Sequence, residues 1–250
     1  MGRVKKKRVA KRRKHMFTRI SIRKKMGKPI FFTLTHCNKK MNGISNKYNY
    51  KANMHKLCFV DARFYNVKYQ ASIITNCNYR NANIIGVDFF NCNMRGTSFK
   101  NTRFKNVVFF NCNLKDVDFT GAKFKNVTFI CTNLQKSKNL NVDNPGITIL
   151  RTYRPILIDE SVENKLLAMA QNDSIFNAKV LHVSKNKLNQ WTLGLVYERY
   201  GVDGITMLSK IIGKKKKWYN MYTVFSYMLL IQHFTAFQPL SHRPRPIDGR

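Results

Sequence analysis

Between residues 54 and 134 every fifth position is large and apolar or aromatic: Met54, Phe59, Phe64, Tyr69, Ile74, Tyr79, Ile84, Phe89, Met94, Phe99, Phe104, Phe109, Leu114, Phe119, Phe124, Phe129 and Leu134. Two residues before each stands a small or slim side chain, as in Ala62, Val67, Ser72, Cys77, Ala82 and Val87, with Leu57 the one misfit. Seventeen consecutive matches to a period of five fit neither a helix, with its period of about 3.6, nor a strand, with its period of about 2. A second period lies over the first, because Phe89-Phe90-Asn91-Cys92-Asn93 recurs unchanged as Phe109-Phe110-Asn111-Cys112-Asn113, twenty residues later. Twenty residues hold four of the five-residue units, so the two periods agree with a chain that returns to the same setting every twenty residues, and Leu57 predicts that its first stretch is irregular.

On a twenty-residue turn the large residues sort into four stacks. One is aliphatic (Met54, Ile74, Met94, Leu114, Leu134); rings dominate the other three, and Phe104 is expected between Ile84 and Phe124. At the strand spacing of about 4.8 Å, rings stack in offset fashion. Four coils give a rod about 20 Å long, whose open ends need covering by the flanking chain. Cys92 and Cys112 share one inward column. Neighbouring strands bring such residues within the roughly 4.4 to 6.8 Å between Cα atoms that a disulfide accepts, but Ser72 and Thr132 fill the same column and a thiol packs in the same way. Asn53, Asn93, Asn113 and Asn133 form an outward column, broken by Ile73, in which stacked amides are expected to hydrogen-bond into a ladder.

This double register resembles the pentapeptide-repeat family, whose unit reads small residue, Asn or Asp, Leu or Phe, then two variable positions. The resemblance covers about a third of the chain and implies a mainly β repeat solenoid, a right-handed quadrilateral β-helix of about four coils, over residues 52–136. Through relatives of the quinolone-resistance kind it also implies imitation of DNA at a topoisomerase. That activity rests on an acidic rod, whereas residues 50–136 carry thirteen Lys or Arg against four Asp, a net +9. A positive rod does not stand in for DNA, so the fold transfers and that activity does not.

The pattern stops after Leu134, and Asn144-Pro145-Gly146 marks a break. Residues 29–51 are expected to link to and cap the rod, and residues 137–250 to form a mostly helical C-terminal domain. Within it Asp159-Glu160-Ser161 opens a helix through Ala170, residues 175–183 alternate as a strand does, and residues 188–200 and 205–212 read as helices. Residues 218–237 have the apolar spacing of a packed helix. The apolar run 223–237 is about 15 residues long and holds Gln232 and His233, short of the roughly 20 that a membrane span needs, so no transmembrane segment is expected.

Charge changes the picture most. Against 46 Lys and Arg stand 12 Asp and Glu, a net +34, a field that draws polyanions such as DNA, RNA or anionic membrane surfaces. Residues 1–28 hold fourteen of the basic residues and no acid, among them Arg3, Lys5, Lys6, Lys7, Arg8, Lys11, Arg12, Arg13 and Lys14. Such a block has the composition of a disordered or partner-ordered arm that binds nucleic acid. It has no apolar stretch for a secretory signal, and it is Lys-rich where transit peptides favour Arg and Ser. The six cysteines show no C-x-x-C pair, which argues against a zinc site and a disulfide framework and for an intracellular, cytoplasmic setting, with organelle import the lesser expectation.

On the rod, Arg63, Arg103, Lys105, Lys123 and Lys125 flank the column of Phe64, Ile84, Phe104 and Phe124 with no acid beside them, and this most basic face is the expected phosphate contact. Lys214, Lys215, Lys216 and Lys217, followed by Trp218 and Tyr219, offer a phosphate clamp or a solvated loop. The neighbouring face carries Phe90, Val108, Phe110 and Ile130, an apolar patch that a second copy, another protein or the chain's own C-terminal region is expected to cover. Catalysis finds little footing, because none of the six histidines sits in a metal or nucleophile spacing, and Asp159-Glu160 reads as a helix start. The sequence therefore predicts a non-enzymatic protein, without cofactor or metal, that binds the backbone of RNA or DNA within a ribonucleoprotein or DNA–protein assembly. The alternative is a protein-interaction scaffold docking through the apolar face.

Overall fold

The computed structural model describes residues 33–153, 155–214 and 220–236. Strands β1 (Thr33–Lys40), β2 (Ser45–Tyr50), β3 (Asn53–Cys58), β4 (Arg63–Gln70), β5 (Ile73–Thr75), β6 (Asn83–Phe90), β7 (Arg103–Phe110), β8 (Lys123–Ile130) and β9 (Ile147–Leu150) wind a parallel β-solenoid of about six turns. One wall is a six-stranded sheet in the order β2-β4-β6-β7-β8-β9, and a second begins as the three strands β1-β3-β5. Each ladder pairs a residue with the one twenty further on, as Arg63 with Asn83, Asn83 with Arg103 and Arg103 with Lys123. The same offset runs past the repeats, from Thr33 with Asn53 at one end to Ile130 with Leu150 at the other. The flanking segments thus add coils to those of the repeat. Next to Leu57 the β1–β3 ladder slips, from Cys37 opposite Leu57 to Lys40 opposite Cys58.

The corners explain why a five-residue side closes. From Lys56 to Cys131 every fifth residue has a positive φ, among them Asp61, Asn66, Asn76, Asn81, Gly86 and Asn91. Left-handed backbone brings Cβ against the neighbouring carbonyl, and Gly, Asn and Asp tolerate it best. Between corners the large side chains point inward and stack. Phe104 is 2% exposed, pairs with Ile84 and Phe124 in register, and stacks on the Phe124 ring at 5.4 Å. Tyr69, Phe89, Phe109 and Phe129 form a continuous column with centroids 5.5, 5.0 and 4.8 Å apart.

The small inward column has a polar task as well. Thr97 Oγ1 donates to Ile74 O at 2.6 Å, Thr102 Oγ1 to Tyr79 O at 2.7 Å, and Cys112 Sγ reaches Phe89 O at 3.2 Å. A Ser, Thr or Cys at this position gives a buried hydroxyl or thiol its acceptor in a carbonyl of the preceding coil. Cys92 and Cys112 are free thiols.

The asparagine ladder expected at Asn93, Asn113 and Asn133 forms elsewhere. Those three side chains accept from the backbone N–H two residues on, at Arg95, Lys115 and Gln135, because a short amide closes its own turn most readily. Amide-to-amide bonds between coils occur instead among corner residues: Asn66 to Asn46 at 2.9 Å, Asn111 to Asn91 at 2.9 Å and Asn126 to Asn106 at 3.1 Å.

After the rod come α1 (Glu160–Ala168), a single 3-10 turn at Met169–Gln171, α2 (Asp173–Phe176), a small hairpin of β10 (His182–Ser184) and β11 (Lys187–Leu188), then α3 (Gln190–Lys214) and α4 (Val224–Ala236). Asp159 caps α1, accepting from Ser161 N at 2.8 Å. Gly201, at φ 64 and ψ −166, breaks α3 in two. Residues 175–183 are not the expected strand: Asn172 caps the short helix α2, and strand geometry begins only at His182. The alternation there reflects Ile175, Val180 and Leu181 reaching one core from a bending chain. That core is the second of the molecule, and it includes Val108 and Ile130 from the outside of the rod. The helical part therefore packs directly on the six-stranded wall.

Candidate functional site

Strands β4, β6, β7 and β8 set two outward rows on the wall. Arg63, Asn83, Arg103 and Lys123 lie opposite one another in one, and Tyr65, Ile85, Lys105 and Lys125 in the other. Arg63, Arg103, Lys105, Lys123 and Lys125 are all exposed. The acids of residues 50–136 are engaged elsewhere: Asp61 with Lys40 at 2.7 Å, Asp118 with Lys100 at 3.2 Å, Asp116 with Lys138 at 3.7 Å, and Asp88 inside the protein. Among the described residues no ion pair involves any of the five row cations. The remaining basic candidates, Arg3 to Lys14, Lys215, Lys216, Lys217 and the side chain of Lys214, lie outside the described residues.

The apolar face is covered by the chain itself. Ile130 and Val108 are 1% and 6% exposed, buried under the helices. Phe110 meets the Trp191 ring edge-on at 5.7 Å, and Phe90 stacks on Phe110 at 4.5 Å. Of the three ways to cover this patch, the structure realises the intrachain one.

The same seam holds two charged residues that sequence reasoning missed. Lys68 and Asp88 stand opposite each other in the β4–β6 ladder and are each 1% exposed. Lys68 Nζ donates to Ala178 O at 2.7 Å and Lys179 O at 3.1 Å and lies 4.6 Å from the Phe90 ring centroid, a cation–π arrangement. Asp88 Oδ2 accepts from Val224 N at 2.9 Å, the first residue of α4, where a carboxylate meets the positive end of the helix. Its Oδ1 has no hydrogen-bond partner among the described residues. Burial pushes Lys68 down to about 8 against the pull of Asp88, and pushes Asp88 up to about 7 against the pull of Lys68 and the Val224 N–H. One row away, Asn66 Nδ2 donates to Asn220 O at 2.7 Å and Thr223 Oγ1 donates to Asn66 Oδ1 at 2.8 Å. The signal available in the sequence was the row itself: Lys68, Asp88, Val108 and Thr128 share it, beside the patch already expected to be covered.

Where α4 meets the wall, the Phe225 ring sits on Gly86, so close that a Cβ there would fall 1.9 Å from Cδ1. Beyond that contact a cleft of about 300 Å³ opens between the wall and helices α3 and α4, lined by Asn106, Asn126, Thr128, Glu198, Phe225 and Met228 among others. Lys105 and Lys125 adjoin it in sequence. No group of three or more His, Cys, Asp or Glu side chains among the described residues is placed to hold a metal ion. His182 is buried with Nε2 2.8 Å from Leu166 O, a structural contact. No described helix is long and apolar enough to cross a membrane.

Residues 50–138 match the family model described as a pentapeptide repeat region. Among solved structures the chain is similar to QnrB1, a plasmid-mediated fluoroquinolone resistance protein, with 17% identity and a TM-score of 0.40 over 43% of this chain and 55% of that one. It is similar also to a pentapeptide repeat protein from Nostoc, with 15% identity and a TM-score of 0.36 over 40% and 81% of the two chains. A third is a pentapeptide repeat protein from the Arabidopsis thaliana thylakoid lumen, with 11% identity and a TM-score of 0.29 over 40% and 71%. The chain thus spans little more than half the length of the first of these. No curated protein matches the sequence.

Proposed function

We propose, from the premise that residues 50–138 are a pentapeptide-repeat region, that this protein is a non-enzymatic binder of nucleic-acid backbone, working within a ribonucleoprotein or DNA–protein assembly. The carrying observation is the pair of exposed rows in which Arg103 lies opposite Lys123 and Lys105 opposite Lys125, with the rod's own acids engaged elsewhere. Cations that lack acidic partners are free to exchange their small counterions for phosphates, and this exchange supplies most sequence-independent affinity. Residues 1–28, with fourteen Lys or Arg and no acid, add a second set of phosphate contacts on the same principle.

The intrachain cover over Val108 and Ile130 leaves only Phe90 and Phe110 of the apolar face partly exposed, which favours the nucleic-acid reading over a scaffold docking through that face. Recovery of the protein from cells, with and without nuclease treatment, tests it. Companions that leave on nuclease treatment, together with direct binding of purified protein to RNA or DNA at low salt, are the expected result. No binding to either polymer at low salt overturns the reading.

A further inference from the structure

We infer that the cleft between the β-wall and helices α3 and α4 receives one unpaired nucleobase from a single strand whose phosphates lie on Lys105 and Lys125. This rests on the nucleic-acid reading above and gives it a site. The cleft, about 300 Å³, lies at the small end of ligand-sized cavities and suits a flat ring better than an extended chain. Its geometry follows from Gly86. With no Cβ at that position, the Phe225 ring drops onto the wall, so α4 is seated at Gly86 and the cleft opens along the same row, toward Asn106 and Asn126 on the next two strands.

One side of the cleft is apolar, from Phe225 and Met228, and the other is polar, from Asn106, Asn126 and Thr128. An apolar surface facing a polar edge is what a base requires, since every base has a π face to stack and an edge to hydrogen-bond. Asn126 Nδ2 donates to Asn106 Oδ1 at 3.1 Å, and each amide keeps its other polar atom without a partner among the described residues, so a donor at Asn106 Nδ2 and an acceptor at Asn126 Oδ1 stand together. Glu198 and Arg199 both line the cleft, so their charges offset each other and the site suits a neutral base better than a phosphate. The phosphates then belong outside, on Lys105 and Lys125, each the immediate chain neighbour of one of the two asparagines.

The experiment compares full-length protein binding to a single-stranded oligonucleotide and to an equally long, equally charged strand of abasic sites, in ribo and deoxyribo forms. The base-bearing strand should bind at least about five-fold more tightly, the low end of one stacked base. Asn126→Gly, which suits the positive φ of that corner, should shrink the preference and leave abasic binding unchanged. Equal affinity for the two strands overturns the base site and leaves backbone binding standing. So does a full preference in Asn126→Gly, because the base is then read elsewhere. Absence of binding to both strands overturns the backbone reading and this site with it.

Discussion

Lys68 and Asp88 face each other on adjacent coils, both sealed between the rod and the helices. They tie three elements together: Lys68 holds the carbonyls of Ala178 and Lys179, and Asp88 caps α4 at Val224. Buried pairs of this kind gain little over apolar replacements, but losing one partner strands the other. Lys68→Met alone should therefore destabilise the protein by about 3–5 kcal/mol. The double variant Lys68→Met with Asp88→Asn, which keeps an acceptor for Val224 N, should recover most of that loss. Denaturant unfolding of the wild type and the three variants measures it. Additive losses in the double variant would show that the two charges do not interact.

The pair also sets a pH dependence with a definite sign. Asp88 has a folded value of about 7, above its ordinary 3.8, so its contribution is fully present below 3.8 and is lost as pH rises through 7. Lys68 has a folded value of about 8, below its ordinary 10.5, so its contribution is fully present above 10.5 and is lost as pH falls through 8. Both losses overlap near neutrality. The stability of the wild type relative to the double variant should be lowest there and rise toward both acid and alkali, read from unfolding midpoints at about pH 5, 7.5 and 9.5. A difference independent of pH would mean that neither group titrates in the seam.

Gly86 is needed twice, for its φ of 61 and for the space its missing Cβ leaves to Phe225. Gly86→Asn tests the contact apart from the backbone, since Asn tolerates the corner but brings the Cβ. We expect destabilisation by about 1–3 kcal/mol, the range of overpacking, with faster protease cleavage around α4. Unchanged protection of α4 would place the helix elsewhere on the wall.

The rod was legible because its two periods are carried by bulky inward residues such as Phe89 and Phe109, whose stacking fixes the register. The outer coils were not, because the positions twenty residues before Phe59 and Tyr69 are Lys39 and Asn49, and those after Phe119 and Phe124 are Asn139 and Asn144, none of them large and apolar. The chain keeps winding there through backbone pairing and through apolar residues partly outside the five-residue period, such as Met41 and Leu140, packed against the core. The corners were printed in the sequence as the recurrent Asn66, Asn76, Asn81 and Asn91, a signal of left-handed backbone that an amide-ladder reading passes over. Lys68 and Asp88 were hidden for another reason: an outward charge looks solvated until the packing partner is known, and Ala178 and Val224 lie more than a hundred residues away along the chain.

The salt dependence of nucleic-acid binding, measured on the wild type and on a variant with Arg103, Lys105, Lys123 and Lys125 all changed to Gln, tests the central claim most directly. Each phosphate contact contributes about 0.9 to the slope of log affinity against log salt on duplex DNA, or about 0.7 on single strands. If the two rows touch the backbone, the variant should bind more weakly on every sequence, with a slope shallower by about three units. An unchanged slope would contradict the account and assign the rows to bulk solvation.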